Sequence, residues 1–251
     1  VLVAVVGLAA CSDDEQQYGT VERFEVAGDD ALLVVPDDEV RGVVVYHHGA
    51  DERVEQVGLE RGADTLVGGL ARAGWAVAAT DAGGDNWGDD ASLAANTALW
   101  EEVARRLDDP ELVVLLGHSM GGLSSLRCVL EACVPDIDGW IGIYPVVDQR
   151  TMVDASVAGE LVPEILERFG GRPPSSKVPL EQAEALAALD LPMIVWASPD
   201  DTVVPMDTNA VELERRITDA GGSIERREAE GEHLDPSHID VPALVAFLES
   251  L

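Results

Sequence analysis

Three side chains far apart in the chain have the types needed to activate a hydroxyl for attack on a carbonyl. Ser119 lies in Gly117-His118-Ser119-Met120-Gly121, an aspartate in Ser198-Pro199-Asp200-Asp201-Thr202-Val203-Val204-Pro205, and His233 in Glu230-Gly231-Glu232-His233. A serine hydroxyl is a poor nucleophile at neutral pH and needs an imidazole to take its proton, with a carboxylate to orient that imidazole. Such a set performs acyl transfer without a metal or a cofactor. No C-x-x-C or H-x-x-x-H spacing points to a metal site, and no phosphate-cradling G-x-x-x-x-G-K-[ST] occurs.

For these groups to meet in an open parallel sheet they must come from loops at the C-terminal ends of strands. Leu112-Val113-Val114-Leu115-Leu116 reads as a buried strand and residues 123–130 as a helix. A strand that becomes a helix through G-x-S-x-G turns sharply, which strains the serine backbone and aims a helix N-terminus at the target. Upstream, residues 20–27 and 31–36 read as a hairpin, and 41–47 as a strand buried on both faces that runs into His48-Gly49-Ala50. Residues 58–74 read as one amphipathic helix, 75–80 as a strand, and Asp89 or Asp90 as the cap of a helix reaching about residue 107.

Downstream, 139–144 is a strand, and the pattern then loosens over about 146–189, with helical fragments at 157–169 and 180–188. Alternation resumes with a strand at 192–197, a helix at 207–220, a strand at 223–229 and a helix at 241–251. This order predicts an α/β fold: a mostly parallel twisted sheet, helices on both faces, and a short cap insertion after the sixth strand. Asp200 and Asp201 both follow one late strand, and His233 and His238 both follow the next. Position alone leaves each pair open.

From residue 41 onward the chain resembles the α/β-hydrolase superfamily. The resemblance rests on Gly-His-Ser-Met-Gly-Gly, on Asp-x-x-Val-Pro after the penultimate strand, and on Gly-x-His. It implies Ser119 as nucleophile, Asp201 as the acid by alignment on Val204-Pro205, and His233 as the base, with Asp200 and His238 as the alternatives. It also implies an oxyanion hole made by the backbone N–H groups of Met120 and Ala50. Trp87, in a loop rich in Gly and Asp, is a candidate pocket wall, lid anchor or core residue. The activity implied is hydrolysis of small-to-medium carboxylic esters through an acyl-enzyme. Peptidase or lipase chemistry, or an inactive surface-binding lipoprotein, are the alternatives on the same scaffold.

The 251 residues, 47% of them hydrophobic, suffice for one α/β domain, and the net charge is −32. That charge argues against nucleic acid as a partner, since it repels phosphates, and fits solubility or adaptation to salt. It disfavours anionic substrates unless Arg172 or Lys177 lines the pocket. Residues 1–10 are apolar and end in Leu8-Ala9-Ala10-Cys11, which reads as an export signal and resembles a bacterial lipobox. The expected organisation is therefore a signal and tether over 1–18 and a hydrolase domain over 19–251. Cys11 would be a lipid attachment site holding the protein at the outer face of the membrane, with secretion as the alternative. Cys128 and Cys133, five apart on a predicted helix, are expected to be two buried thiols.

Overall fold

The computed structural model describes residues 17–59, 61–62, 64–154 and 161–251, so the export and lipidation reading of residues 1–11 lies outside it. Among the described residues no helix is long and apolar enough to cross a membrane. A hairpin of β1 (Thr20–Val26) and β2 (Asp29–Val35) opens the chain, followed by β3 (Gly42–His47) and β4 (Trp75–Thr80). The remaining strands are β5 (Val113–His118), β6 (Gly139–Ile143), β7 (Met193–Ala197) and β8 (Glu225–Glu228). They form one sheet of order β1-β2-β4-β3-β5-β6-β7-β8, antiparallel at β1, β2 and β4 and parallel from β4 to β8.

The central strands are apolar on both sides because both faces are covered. Val43 and Val45 of β3, with Val113 and Leu115 of β5, point into one core. That core also takes Leu99 and Val103 of α3 (Asp90–Leu107) and Leu126 of α4 (Gly121–Glu131). Val44, Tyr46, Val114 and Leu116 point into the other. There they meet Leu66 and Leu70 of α2 (Leu66–Arg72) and Leu244 and Leu248 of α9 (Val241–Leu248). This is the α/β-hydrolase fold. The chain leaves β3 toward β4 on one side and returns to β5 on the other. The crevice at that reversal is where such sheets hold their ligands, and it lies between the loops after β3 and β5.

Three local expectations differ from the structure. Residues 58–74 do not form one helix: α1 (Val54–Val57) ends at Gly58, and α2 begins only after Thr65, whose side chain accepts the Gly68 N–H at 3.2 Å. A Cβ at Gly68 would collide with the backbone of Arg61 and Gly62, so the chain folds back there instead of continuing. Within 146–189, α5 (Gln149–Asp154) forms where no helix was expected, followed by α6 (Val162–Arg168) and, after two 3-10 turns, α7 (Ala183–Ala187). Cys128 and Cys133 are joined as a disulfide. The helix stops at Glu131 and Ala132 turns left-handed (φ 53°), which brings the two Cα atoms within 4.8 Å.

Both rims of the sheet are charged. β8 reads Glu225-Arg226-Arg227-Glu228, with Arg226 paired to Glu214 of α8 (Ala210–Asp219) at 2.6 Å. At the other rim Arg106 reaches Glu22 of β1 at 2.6 Å and lies over the Phe24 ring.

The start of α4 is packed against β3 as closely as a backbone allows. A Cβ at Gly121 would overlap the His47 carbonyl, and one at Gly122 would stand 2.7 Å from the Val146 carbonyl oxygen. Gly121→Val is therefore expected to lower stability by about 3 kcal/mol, the upper end for overpacking. Thermal denaturation followed by circular dichroism measures it, and an unchanged melting temperature would contradict this packing.

Candidate active site

Ser119 occupies the turn between β5 and α4 with φ 51°, a left-handed conformation that costs a non-glycine residue about 1–3 kcal/mol. Neighbouring strands hold it there. Its N–H donates to the Ile143 carbonyl at 3.0 Å, and its carbonyl accepts Val146 N–H at 2.8 Å and Gly122 N–H at 3.0 Å.

The hydroxyl meets His233, whose Nε2 is 3.0 Å from Ser119 Oγ. On the opposite edge of that ring, His233 Nδ1–H donates to Asp201 Oδ2 at 2.7 Å. The loops after β5, β7 and β8 thus bring Ser119, Asp201 and His233 into one line. Asp201 Oδ1 accepts the N–H groups of Val203 (2.9 Å) and Val204 (2.8 Å), so both carboxylate oxygens are engaged. Burial pushes its pKa up, but the hydrogen bonds from His233 and Val204 outweigh this and hold it below the usual carboxylate range.

The two alternatives fall elsewhere. Asp200 is exposed and is not brought to the imidazole. His238 is buried in a 3-10 turn (Pro236–His238), edge-on to Tyr144 at 4.8 Å between ring centroids. Tyr144 in turn meets the His233 ring edge-on at 4.6 Å, packing the imidazole from behind.

Ala50 follows β3 across the crevice, and Met120 opens the first turn of α4. Among the described hydrogen bonds none uses the backbone N–H of Ala50 or Met120, which leaves both donors available to a ligand oxygen.

A residue that sequence reasoning missed stabilises this loop. Glu52 Oε2 accepts the N–H of Gly49 at 2.7 Å, the hydroxyl of Tyr46 at 3.1 Å and Nδ1–H of His118 at 3.1 Å. The Tyr144 hydroxyl bonds the other nitrogen of His118. Burial raises the Glu52 pKa, yet the bonds and charge of His118, with the Gly49 and Tyr46 donors, overcome it and hold it at about 2. The only signal in the sequence is an acid placed three residues beyond Gly49, which has no motif value alone.

The cleft over Ser119 has a volume of about 230 Å³. Trp87 is in its wall, 1% exposed, and packs with Met120, Val146, Met152 and Val204 in a small core of its own. The insertion roofs this chamber with Met152 of α5 and with Leu161. Arg168 of α6 ties it down, bonding Asp89 at 3.2 Å and the Gly83 carbonyl at 2.7 Å. Among the described residues the charged groups lining the cleft are Asp51 and Glu52, apart from the histidines. Arg172 and Lys177 are not in the wall, and Lys177 instead pairs with Asp90 at 2.5 Å.

Beneath the loop, His47 is fully buried, and burial, reinforced by neighbouring His48, pushes its pKa down to about 3. Burial likewise lowers His238. The unfolded imidazoles take up protons near their ordinary value of about 6.5 before the folded ones do. Stability from His47 is therefore present above that value and falls as the pH drops toward 3, and His238 acts in the same direction. Between about pH 7.5 and 5.5, before most carboxylates titrate, the melting temperature in high salt is expected to fall. His47→Asn should flatten that slope, and an equal slope in the variant would refute the assignment.

At the level of sequence, no protein-family model and no curated protein matches this chain. Among solved structures it is similar to an acylaminoacyl peptidase of Pyrococcus horikoshii, with TM-score 0.72 and 15% identity over 94% of this chain and 42% of that one. It is also similar to an esterase of Pyrococcus furiosus, with TM-score 0.69 and 16% identity over 98% and 96% of the two chains. A puromycin-hydrolyzing peptidase of Mycobacterium tuberculosis gives TM-score 0.69 and 17% identity over 97% of this chain and 41% of that one. The chain thus spans about two fifths of each peptidase and nearly all of the esterase. At these identities the likeness establishes the fold, the α/β-hydrolase fold.

Proposed function

We propose that the protein is a serine hydrolase that cleaves small-to-medium carboxylic esters through an acyl-enzyme. The observation that carries this reading is the hydrogen-bonded line from Ser119 Oγ through His233 to Asp201, at 3.0 and 2.7 Å. Ser119 attacks the ester carbonyl while His233 Nε2 takes its proton. Asp201 keeps Nδ1 protonated and stabilises the imidazolium. The negative charge that develops on the carbonyl oxygen is met by Ala50 N–H and Met120 N–H, each such donor being worth about 3–4 kcal/mol. His233 then protonates the departing alcohol, and water, deprotonated by the same imidazole, releases the acid.

The apolar chamber formed by Trp87, Val146, Met152 and Leu161 suits a hydrocarbon acyl group. The fold similarity to two peptidases keeps amide cleavage as a second reading. Amides separate the two: an anilide or dipeptide amide with the acyl group of a good ester substrate should show no turnover above background, and cleavage of that amide with a kcat/KM comparable to the ester's would favour the peptidase.

Export with lipid attachment at Cys11 is part of the proposal. It is supported by the Leu-Ala-Ala-Cys sequence and by the Cys128–Cys133 disulfide, which suits an oxidising compartment. Fluorophosphonate labelling followed by peptide mapping tests the hydrolase reading. Label on Ser119 is expected, and a folded protein that takes no label would point instead to a binding scaffold.

A further inference from the structure

Next to the cleft over Ser119 lies a second cavity of about 180 Å³ that shares Glu52, His118 and Leu234 with it. Its position relative to the reacting atoms follows from Tyr144 and Leu234. Tyr144 lines it and packs on the His233 ring, and Leu234 is the residue directly after His233. In an acyl transfer the imidazolium hands its proton to the leaving oxygen, so the leaving group must emerge on the imidazole side of Ser119. The acyl side is already taken up by the apolar chamber under Trp87.

The lining of the second cavity is unequal. Val57, Leu66, Val67 and Ile239 make a hydrocarbon wall, and Glu52 is its one carboxylate; no Lys or Arg faces it among the described residues. The Glu52 side chain is 28% exposed, so it is neither fully buried nor lost in bulk solvent. The Gly49, Tyr46 and His118 hydrogen bonds all go to Oε2, whereas Oε1 meets only His118 Nδ1, at 3.1 Å, among the described residues. One oxygen of an ionised carboxylate therefore keeps acceptor capacity at a cavity beside the catalytic pair, and it is polarised by the Tyr144–His118 chain behind it.

We propose that this second cavity is the leaving-group site and that it selects alcohols bearing an ammonium group on a short hydrocarbon frame, with Glu52 Oε1 receiving the ammonium N–H. The inference rests on the hydrolase reading above. In the reaction the bond from Ser119 Oγ to the carbonyl carbon forms and the bond from that carbon to the alcohol oxygen breaks. The proton first taken from Ser119 leaves His233 for the alcohol oxygen, and the amino alcohol departs with its charge unchanged.

The test compares two butyrate esters of nearly equal shape, one of 2-(dimethylamino)ethanol and one of 3-methylbutanol, on the full chain. Measurement in about 1 M salt shrinks the screening length to roughly 3 Å and removes the general pull of an acidic surface on any cation. The ratio of kcat/KM, cationic over neutral, is expected to be about tenfold or more in the wild type, the size of one hydrogen bond to a charged group. In Glu52→Gln the ratio should collapse toward unity, whatever the variant does to the neutral rate through Gly49. Gln56 is exposed at the rim of the same cavity, and Gln56→Arg should lower the ratio as well. This variant serves if Glu52→Gln does not fold.

A wild-type ratio near unity with Ser119 labelled and the neutral ester turned over would overturn this inference and leave the hydrolase reading standing. A ratio that survives Glu52→Gln would do the same. A wild type that neither labels nor hydrolyses either ester would remove both.

Discussion

Ser119→Ala is expected to leave a folded protein that takes up no fluorophosphonate and hydrolyses esters about 10⁶-fold more slowly than the wild type. Alanine tolerates the left-handed turn about as well as serine does, and the backbone bonds of residue 119 to Ile143, Val146 and Gly122 do not involve the side chain. The melting temperature should therefore change little. A loss this large comes from removing the nucleophile from a group that acts as a unit, so His233→Ala should cost nearly as much and the double variant little more. Stopped or continuous assay of a p-nitrophenyl ester series gives the rates. Residual activity within tenfold of wild type in Ser119→Ala would mean that the acyl group is carried elsewhere.

The second large effect separates two adjacent aspartates. Asp201→Asn is expected to lower kcat by about 10⁴-fold, because an amide N–H facing His233 Nδ1 favours the tautomer that cannot accept the Ser119 proton. Asp200→Asn, on an exposed side chain not brought to the imidazole, should stay within severalfold of wild type. KM should change far less than kcat in Asp201→Asn, since Asp201 touches His233 and the Val203 and Val204 amides and does not line the cleft. Equal losses in the two variants, or a larger loss in Asp200→Asn, would reassign the acid.

Much of the fold was legible because it is written in local patterns. The apolar runs of β3, β4 and β5 are buried on both sides, and such strands leave no polar alternation to confuse. The turn at Ser119 was legible for a different reason: its glycines answer to steric contacts with β3 and Pro145 that no larger residue permits. The choice between Asp200 and Asp201 could not be read from position, since one residue of phase after β7 decides which carboxylate turns inward. Resemblance chose Asp201, and Asp201 is the one the structure sets against His233.

What escaped the sequence was set by long-range contacts. Residues 58–74 carry a helical pattern, yet Gly68 must accept the backbone of Arg61 and Gly62, and tertiary packing overrode propensity. The disulfide depended on where α4 stopped, and its five-residue spacing closes only because Ala132 turns left-handed. Glu52 had no motif at all. Its position is set by Tyr46, Gly49 and His118, which are brought together only by the pairing of β3 with β5.

The charged rims of the sheet have a consequence for the chain before it is fully folded. A β-sheet with open edges is a template for another copy, and a molecule of this size passes through partly assembled states in which those edges are bare. Here the outermost strand at one side is Glu225-Arg226-Arg227-Glu228, and the hairpin at the other side carries Glu22, Arg23 and Glu25. A second molecule pairing in register along β8 would set charge against charge in nearly every position. The outermost strands thus discourage edge-to-edge aggregation through the same side chains that anchor them to Glu214 and Arg106 in the finished fold.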